Sequence, residues 1–248
     1  MNMADIRNIV ILTGAGISQE SGIPTFRSED GLWEQHRVED VATPEGYVRN
    51  PVLVHNFYNR LRKNLAGAAP NPAHKALARL EQEWQRGSVT VITQNIDDLH
   101  ERGGSRKVIH MHGELKSILC KSCGAHSRWE GDSSEDDVCP VCGKKELRPD
   151  IVWFGEIPYF TEEIYDCLAR GSLFLSVGTS GAVYPAAGFV STVNRIGYPS
   201  VEFNLTPSLQ NSSFTYSVYG KAGTTLPEFV DRLLETSGID FLKKEPKP

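Results

Sequence analysis

The chain has no run of about eighteen apolar residues, which excludes a membrane-spanning helix. Its start, Met1-Asn2-Met3-Ala4-Asp5, lacks the basic and apolar stretches of a secretory leader, so a cytoplasmic location is expected. Basic residues are in deficit: 26 Lys and Arg face 31 Asp and Glu, a net charge of -5. That balance argues against a general nucleic-acid surface, which needs a basic excess. Internal repeats and low-complexity segments are also lacking. Cysteine is scarce, and four of the five form Cys120-x2-Cys123 and Cys139-x2-Cys142, with fifteen residues between the pairs. In a reducing compartment this spacing reads as a four-thiolate zinc site rather than two disulfides. Cys167 stands alone in an amphipathic segment and reads as a core residue.

What is present suits one good-sized domain, or one domain with a small satellite: 248 residues, 40% of them hydrophobic. The apolar, β-branched run Ile9-Val10-Ile11-Leu12 reads as a buried parallel strand. It runs into Thr13-Gly14-Ala15-Gly16-Ile17-Ser18, where backbone amides can approach a phosphate. As a dinucleotide fingerprint the stretch is incomplete, because Gln19 stands where a third glycine is expected. A plain tight turn and a nucleotide cradle both fit. The following Thr25-Phe26-Arg27 and Gly31-Leu32-Trp33 set an aromatic ring, a guanidinium and an indole in a loop without periodicity, where no core needs them.

Further along, Glu34 to Arg49 is rich in charge, has no helical stripe and reads as a long functional loop. Asn50-Pro51 and Asn71-Pro72 each predict a helix start, with Asn as N-cap and Pro at the first helical position. Val89–Thr93, Val108–Glu114, Ile151–Phe154, Leu173–Val177 and Val201–Phe203 predict strands. Thr161 predicts the N-cap of another helix, Pro185 to Arg195 a further one, and Thr225 with Glu228 a capping box. From Gly238 the tail is expected to fray. Strands alternating with helices predict an α/β, Rossmann-like doubly wound parallel sheet spanning 1–33, 70–116 and 149–237. Two insertions, 34–69 and 117–148, are expected to form a smaller helical and zinc-binding lobe, leaving 238–248 as a polar tail.

Four expected strands end in small or amide residues: Gly14-Ala15-Gly16, Gln94-Asn95-Ile96-Asp97, Gly178-Thr179-Ser180 and Asn204. Ligands of open α/β sheets bind outside the carboxyl ends of the strands, so four such ends point to a nucleotide crevice. His110 and His112, two apart in a strand-like segment, are expected to share a face. They read either as hydrogen-bonded surface histidines or as metal ligands, although the cysteines already supply four ligands. His112, followed by Gly113, is a candidate general base.

These motifs, with Gly22-Ile23-Pro24-Thr25-Phe26-Arg27, His112-Gly113 and Asn204-Leu205 in the same order, resemble the sirtuins, the NAD-dependent protein lysine deacylases. The resemblance runs from about Ile9 to Leu234; Asp40–Gly46 and Val152–Glu156 further resemble bacterial class III members. It implies NAD as co-substrate, held by Gly14, Ala15, Gly16, Ser18, Gly178, Thr179 and Ser180. Phe26, Arg27 and Trp33 would cover it, and Asn204, Leu205 and Ala222 would lie on the adenosine side. Gln94, Asn95, Ile96 and Asp97 would hold the nicotinamide ribose and amide. His112, with Asn95, would be catalytic, acting as base on a ribose hydroxyl after the acyl oxygen has attacked the ribose carbon. Products would be free lysine, nicotinamide and O-acyl-ADP-ribose. Acylated-lysine proteins or peptides would lie between Val152, Phe154, Gly155 and Glu156 on one side and Val183 on the other, and one zinc ion would be structural. A monomer is expected.

One departure stands out. Members that remove succinyl or malonyl carry Tyr-x-x-Arg; here Tyr58 is followed three residues on by Leu61, flanked by Arg60 and Arg62. Arg62 is expected either to substitute at a different depth or to be solvated beside a more apolar pocket. Neutral acyl removal is the main expectation; desuccinylation and mono-ADP-ribosyl transfer are the enzymatic alternatives, and a nucleotide-binding zinc-ribbon scaffold the non-enzymatic one.

Overall fold

The computed structural model describes residues 5–24, 32–33 and 36–244. In chain order the strands and helices are β1 (Ile9–Thr13), β2 (Leu32–Trp33), β3 (His36–Arg37), α1 (Val38–Val41), α2 (Pro44–Arg49), α3 (Pro51–Gly67) and α4 (Pro72–Glu83). Next come β4 (Val89–Thr93), α5 (Leu99–Gly103), β5 (Val108–His110), β6 (Gly113–Cys120), β7 (His126–Arg128) and β8 (Leu147–Ile151). The rest is α6 (Thr161–Arg170), β9 (Leu173–Val177), α7 (Phe189–Ile196), β10 (Ser200–Asn204), β11 (Tyr216–Tyr219) and α8 (Ala222–Thr236). No helix among the described residues is long and apolar enough to cross a membrane.

Six strands in the order β11-β10-β9-β1-β4-β5 form one sheet, and every pairing in it is parallel. The period of two in β1 sends Ile9 and Ile11 into a core with Leu77 and Leu80 of α4 and Leu226 and Phe229 of α8. Val10 and Leu12 point the other way, against Ile164 and Leu168 of α6 and Phe189 of α7. With both faces covered, β1 and β9 are buried at every residue, as their mostly apolar sequences suit. The chain first builds outward from β1 through β4 to β5, then returns to the other side of β1 for β9. The carboxyl ends of β1 and β9 therefore flank the switch point where such sheets bind ligands.

The antiparallel sheet β7-β6-β8 carries the cysteines over a small core of Ile118 and Leu147. A further cluster joins Val41, Tyr47, Phe57 and Tyr58 of α1–α3 to Leu115, Ile151 and Trp153.

Several expectations are corrected. Within Glu34 to Arg49 lie α1 and α2: Thr43 accepts a hydrogen bond from the Gly46 N–H and Pro44 takes the first helical position. This is the same N-cap and Pro signature read at Asn50-Pro51, carried here on helices too short to show a stripe. The strand expected over Val108–Glu114 stops at His110, and β6 starts at Gly113 with φ +82°. A Cβ at Gly113 would sit 2.0 Å from the Asp150 carbonyl oxygen, so this crossing demands glycine. Strand β8 ends at Ile151 rather than running on to Phe154. Thr161 is the first helical residue of α6, its hydroxyl donating to the Pro158 carbonyl. Thr225 lies inside α8 and bonds back to the Lys221 carbonyl; the Glu20 carboxylate instead accepts the Gly223 N–H at that helix's first turn. Neither α5 nor β11 was expected. The tail does not simply fray: residues 240–244 form a 3-10 turn that docks Leu242 and Phe241 beside Phe229.

Backbone contact between the β1 and β9 loops sets the geometry at the switch point. A Cβ on Gly16 would lie 2.7 Å from the Gly178 Cα, and one on Gly178, at φ +63°, would lie 2.4 Å from the Ile17 nitrogen. Gly178→Ala is expected to cost about 2–3 kcal/mol through clash and left-handed strain. At about 2–4 °C per kcal/mol for a chain of this size, differential scanning calorimetry should show Tm falling by ~5–10 °C.

Candidate active site

A cleft of about 830 Å³ opens at the carboxyl ends of β1, β4, β9 and β10. Its lining brings together the residues expected on the nucleotide side: Gly14, Ala15, Gly16, Ser18, Trp33, Gln94 to Asp97, Gly178 to Ser180, Asn204, Leu205 and Ala222. Phe26 and Arg27 lie outside the described residues. The same cleft reaches His112, Tyr58, Val152, Phe154, Gly155, Glu156 and Val183. Leu61 lines it as well, as the apolar reading of that position expects, and Asn64 and Leu65 add a face of α3 that only the packing of α3 beside Trp153 identifies as pocket wall.

The glycines of β1's loop are needed for packing more than for donating. The Gly14 N–H is spent on the Val177 carbonyl and the Gly16 N–H on the Gly178 carbonyl. The amides of Ala15, Thr179 and Ser180 make no hydrogen bond among the described residues, and they remain available to an anion.

Behind these loops lies a buried polar network. The Asn95 side-chain amide donates to the Gly14 carbonyl (3.2 Å) and the Ser18 hydroxyl (3.1 Å). Ser18 donates its single proton to Asp97 Oδ2 at 2.9 Å, while Asp97 Oδ1 accepts the Leu99 N–H. Asp97 is 5% exposed; burial raises its pKa, against the pull of the Leu99 and Ser18 donors and of His110. Beneath, His74 takes the Asn71 N–H on Nδ1 in a capping box, which leaves its Nε2–H facing the Ser18 oxygen. Burial pushes the His74 pKa down to about 4, so the ring stays neutral.

His112 is set for base chemistry by one contact. A carbonyl oxygen can only accept, so the 3.1 Å bond between Nδ1 and the Gln94 oxygen puts the proton on Nδ1. The Nε2 lone pair is left free beside the cleft. Burial lowers the pKa of His112, with the Gln94 carbonyl opposing, and the imidazole is neutral where a base must be. The expected shared face with His110 does not exist, since β5 ends between them: His110 turns inward to Glu101 and the Asn95 carbonyl.

On the opposite wall, the Trp153 indole N–H donates to the Tyr58 hydroxyl at 3.0 Å, and Tyr58 is fully buried. Glu156 is engaged by its own loop: Arg148 grips both carboxylate oxygens at 2.6 and 2.9 Å, and the Trp153 N–H donates to Oε2. Burial would raise the Glu156 pKa, but these donors hold it below the usual carboxylate value. Arg62 contradicts both expectations for it. Only 4% exposed, it does not line the cleft but bonds to the Leu115 carbonyl (2.7 Å), Asn59 (2.8 Å) and the Gly131 carbonyl (3.0 Å). The segment around Gly131 covers that flank of α3, a long-range contact that helical angles alone do not reveal.

The cysteine sulfurs of Cys120, Cys123, Cys139 and Cys142 all lie within 4.8 Å of one another, with Cys120–Cys142 at 3.6 Å and Cys123–Cys139 at 3.8 Å. Tetrahedral zinc with Zn–S of about 2.3 Å needs sulfurs roughly 3.8 Å apart, so the four thiolates fit one structural ion with no open position.

The Sir2 family model matches residues 14–185. An NAD-dependent protein deacylase of Bdellovibrio bacteriovorus is 50% identical over 240 residues, 95% of this chain and 100% of that protein. One from Vibrio cholerae is 54% identical over 92% of this chain and 94% of its own length. Among solved structures, a Sir2 homolog–NAD complex superposes with a TM-score of 0.83 at 38% identity, covering 94% of this chain and 91% of that one. Sir2 bound to an acetylated peptide (TM-score 0.76, 32% identity) and Sir2Af2 bound to a myristoylated histone peptide (0.71, 31%) each cover 94% of both chains.

Two outcomes follow from this geometry. With the His112 pKa depressed, the acid limb of kcat/KM against pH is expected below the ordinary 6.5, and His112→Ala should abolish turnover while circular dichroism stays unchanged. Stripping zinc with a chelator should lower Tm by ~10 °C, because on the order of 3–5 kcal/mol of metal-linked folding energy is lost.

Proposed function

The chain belongs to the Sir2 family and is an NAD-dependent protein deacylase, and from that premise we propose that it removes neutral acyl groups from protein lysines in preference to acidic ones. The observation that carries this is the cleft wall: among the described residues lining it there is no Lys or Arg. Leu61 occupies the turn of α3 next to Tyr58, Arg62 is spent on the zinc module, and Arg148 is spent on Glu156. A succinyl carboxylate entering here would lose its hydration and meet no Lys or Arg among the described lining residues, a cost of several kcal/mol. An acetyl or a longer aliphatic group would meet Leu61, Leu65 and Trp153.

In this reading the free amides of Ala15, Thr179 and Ser180 hold the pyrophosphate, with Gly14, Gly16 and Gly178 making room for it. Asn204, Leu205 and Ala222 flank the adenosine, and Gln94, Asn95, Ile96 and Asp97 hold the nicotinamide riboside. The co-substrate supplies an electrophilic ribose carbon when bound. His112 Nε2 takes the proton of a ribose hydroxyl, while Val152–Glu156 and Val183 flank the peptide. Zinc is structural. The division into a nucleotide-binding domain (1–33, 70–116, 149–237) and a small lobe (34–69, 117–148) belongs to the same reading. So do a monomer, a cytoplasmic location suited to reduced thiolates, and a surface without nucleic-acid or membrane partners.

Acetyl-, butyryl- and succinyl-lysine peptides competing at equal concentration test the reading. Succinyl is expected to fall at least about tenfold below acetyl in kcat/KM, and Leu61→Arg should narrow or invert that gap. A wild-type kcat/KM highest for succinyl would overturn it.

A further inference from the structure

His110 is buried, 6% exposed, one residue from His112's neighbour Met111, yet it does not line the cleft. Its two ring nitrogens meet two groups that only accept. Nδ1 lies 3.3 Å from the Asn95 carbonyl and Nε2 lies 2.9 Å from Glu101 Oε1. A neutral imidazole has one N–H and can serve one of them; serving both takes the doubly protonated ring. Geometry thus selects an imidazolium at the root of the loop that carries Asn95, Ile96 and Asp97.

The neighbourhood agrees. The charged and titratable groups facing His110 are Glu101 and His100 on α5, Glu114 at the start of β6, and Asp97 in the loop after β4. Burial works against the charge, but Glu101, Glu114 and the Asn95 carbonyl outweigh it, so the His110 pKa lies above its ordinary value. The benefit extends to Asp97, whose burial favours the neutral acid and whose anionic form His110 supports. His112 and His110 grip successive carbonyls, Gln94 and Asn95, and the two rings together fix the path of this loop.

We propose that His110, held as an imidazolium by Glu101, is a positioning residue that fixes the Asn95–Asp97 loop and keeps Asp97 anionic to receive the nicotinamide amide. This rests on the assignment of that loop to the nicotinamide subsite. The brace is complete while His110 is protonated and is lost as pH rises through its pKa. Glu101, 41% exposed on its side chain, is the handle by which the brace can be released without entering the cleft.

Glu101→Gln tests the proposal. The Gln amide can donate to a neutral His110 Nε2, so the contact survives while the charge is lost. Nicotinamide inhibition and NAD KM are expected to weaken about three- to tenfold, with peptide KM unchanged. The acid limb of kcat/KM for NAD should move to higher pH as Asp97 protonates earlier. A merely structural contact would change Tm, or both KM values together, and leave that limb in place; such a result would overturn the proposal. A second measurement needs no variant: nitrogen-15 NMR of the wild-type histidine rings should show both His110 nitrogens protonated above about pH 6.5, the ordinary histidine pKa. A neutral His110 ring at that pH sinks the idea even where Glu101→Gln fails to fold. Wild-type deacylation without any nicotinamide inhibition would remove the subsite assignment and the proposal with it, leaving the deacylase activity standing.

Discussion

Two loops touch backbone to backbone where Gly14 and Gly16 of the β1 loop meet Gly178 of the β9 loop, and the site depends on that contact. No side chain fits between them: added Cβ atoms at these positions fall 2.4 to 2.8 Å from main-chain atoms. The contact closes the switch point into a floor and commits the Gly14 and Gly16 amides to β9. It also leaves the Gly14 carbonyl as an acceptor for Asn95. From there a single hydrogen-bonded chain runs through Ser18 to Asp97, and the Asn95 carbonyl continues it to His110 and Glu101. A shift of one loop would propagate to the others, because both Asn95 amide protons and the single Ser18 proton are already committed within the chain.

The opposite wall is organised by a different force. Trp153 sits under the Arg148 guanidinium, 3.5 Å from its ring centroid, beside Tyr47, and bonds to Tyr58. Arg148 completes the arrangement by pairing with Glu156, so the turn from Trp153 to Glu156 is closed by its own side chains. A guanidinium that stacks and forks at once suits this place better than an ammonium would. Its charge is thereby neutralised within the wall rather than offered to the cleft, while Arg62 is drawn away from the cleft by the Leu115 and Gly131 carbonyls and the Asn59 side chain. For the proposed acyl pocket, the placement of these two arginines leaves no Lys or Arg among the described lining residues.

Much of this was legible in the sequence. The buried strands showed as β-branched runs, the long helices as Asn-Pro starts followed by apolar stripes, and the metal site as paired cysteines. These are local signals whose physics is complete within a dozen residues. The polar strand ends were legible as a group because a parallel sheet places all carboxyl ends on one edge, so a topology of alternating strands and helices already implies a shared crevice. The short helices within Glu34 to Arg49 lacked the length for a period, and α8 began before its Thr225 and Glu228 because Glu20, some two hundred residues away, caps it.

Residue identity thus determined which chemistries were available: a glycine floor, amides and a carboxylate for a nicotinamide nucleotide, an imidazole base, four thiolates for zinc. Only the tertiary structure decided which groups remain free to use them. His110 and His112 are two apart and the same residue, yet one ends a strand facing Glu101 and the other follows it facing Gln94. Acidic partners raise the pKa of the first against its burial, as the proposed brace requires, and burial lowers that of the second, as a base requires. Arg62 reads as a surface or pocket cation until Gly131 and Leu115 supply its acceptors. Protonation state and free hydrogen-bonding capacity are properties of an environment, and that environment is assembled from segments the sequence keeps far apart.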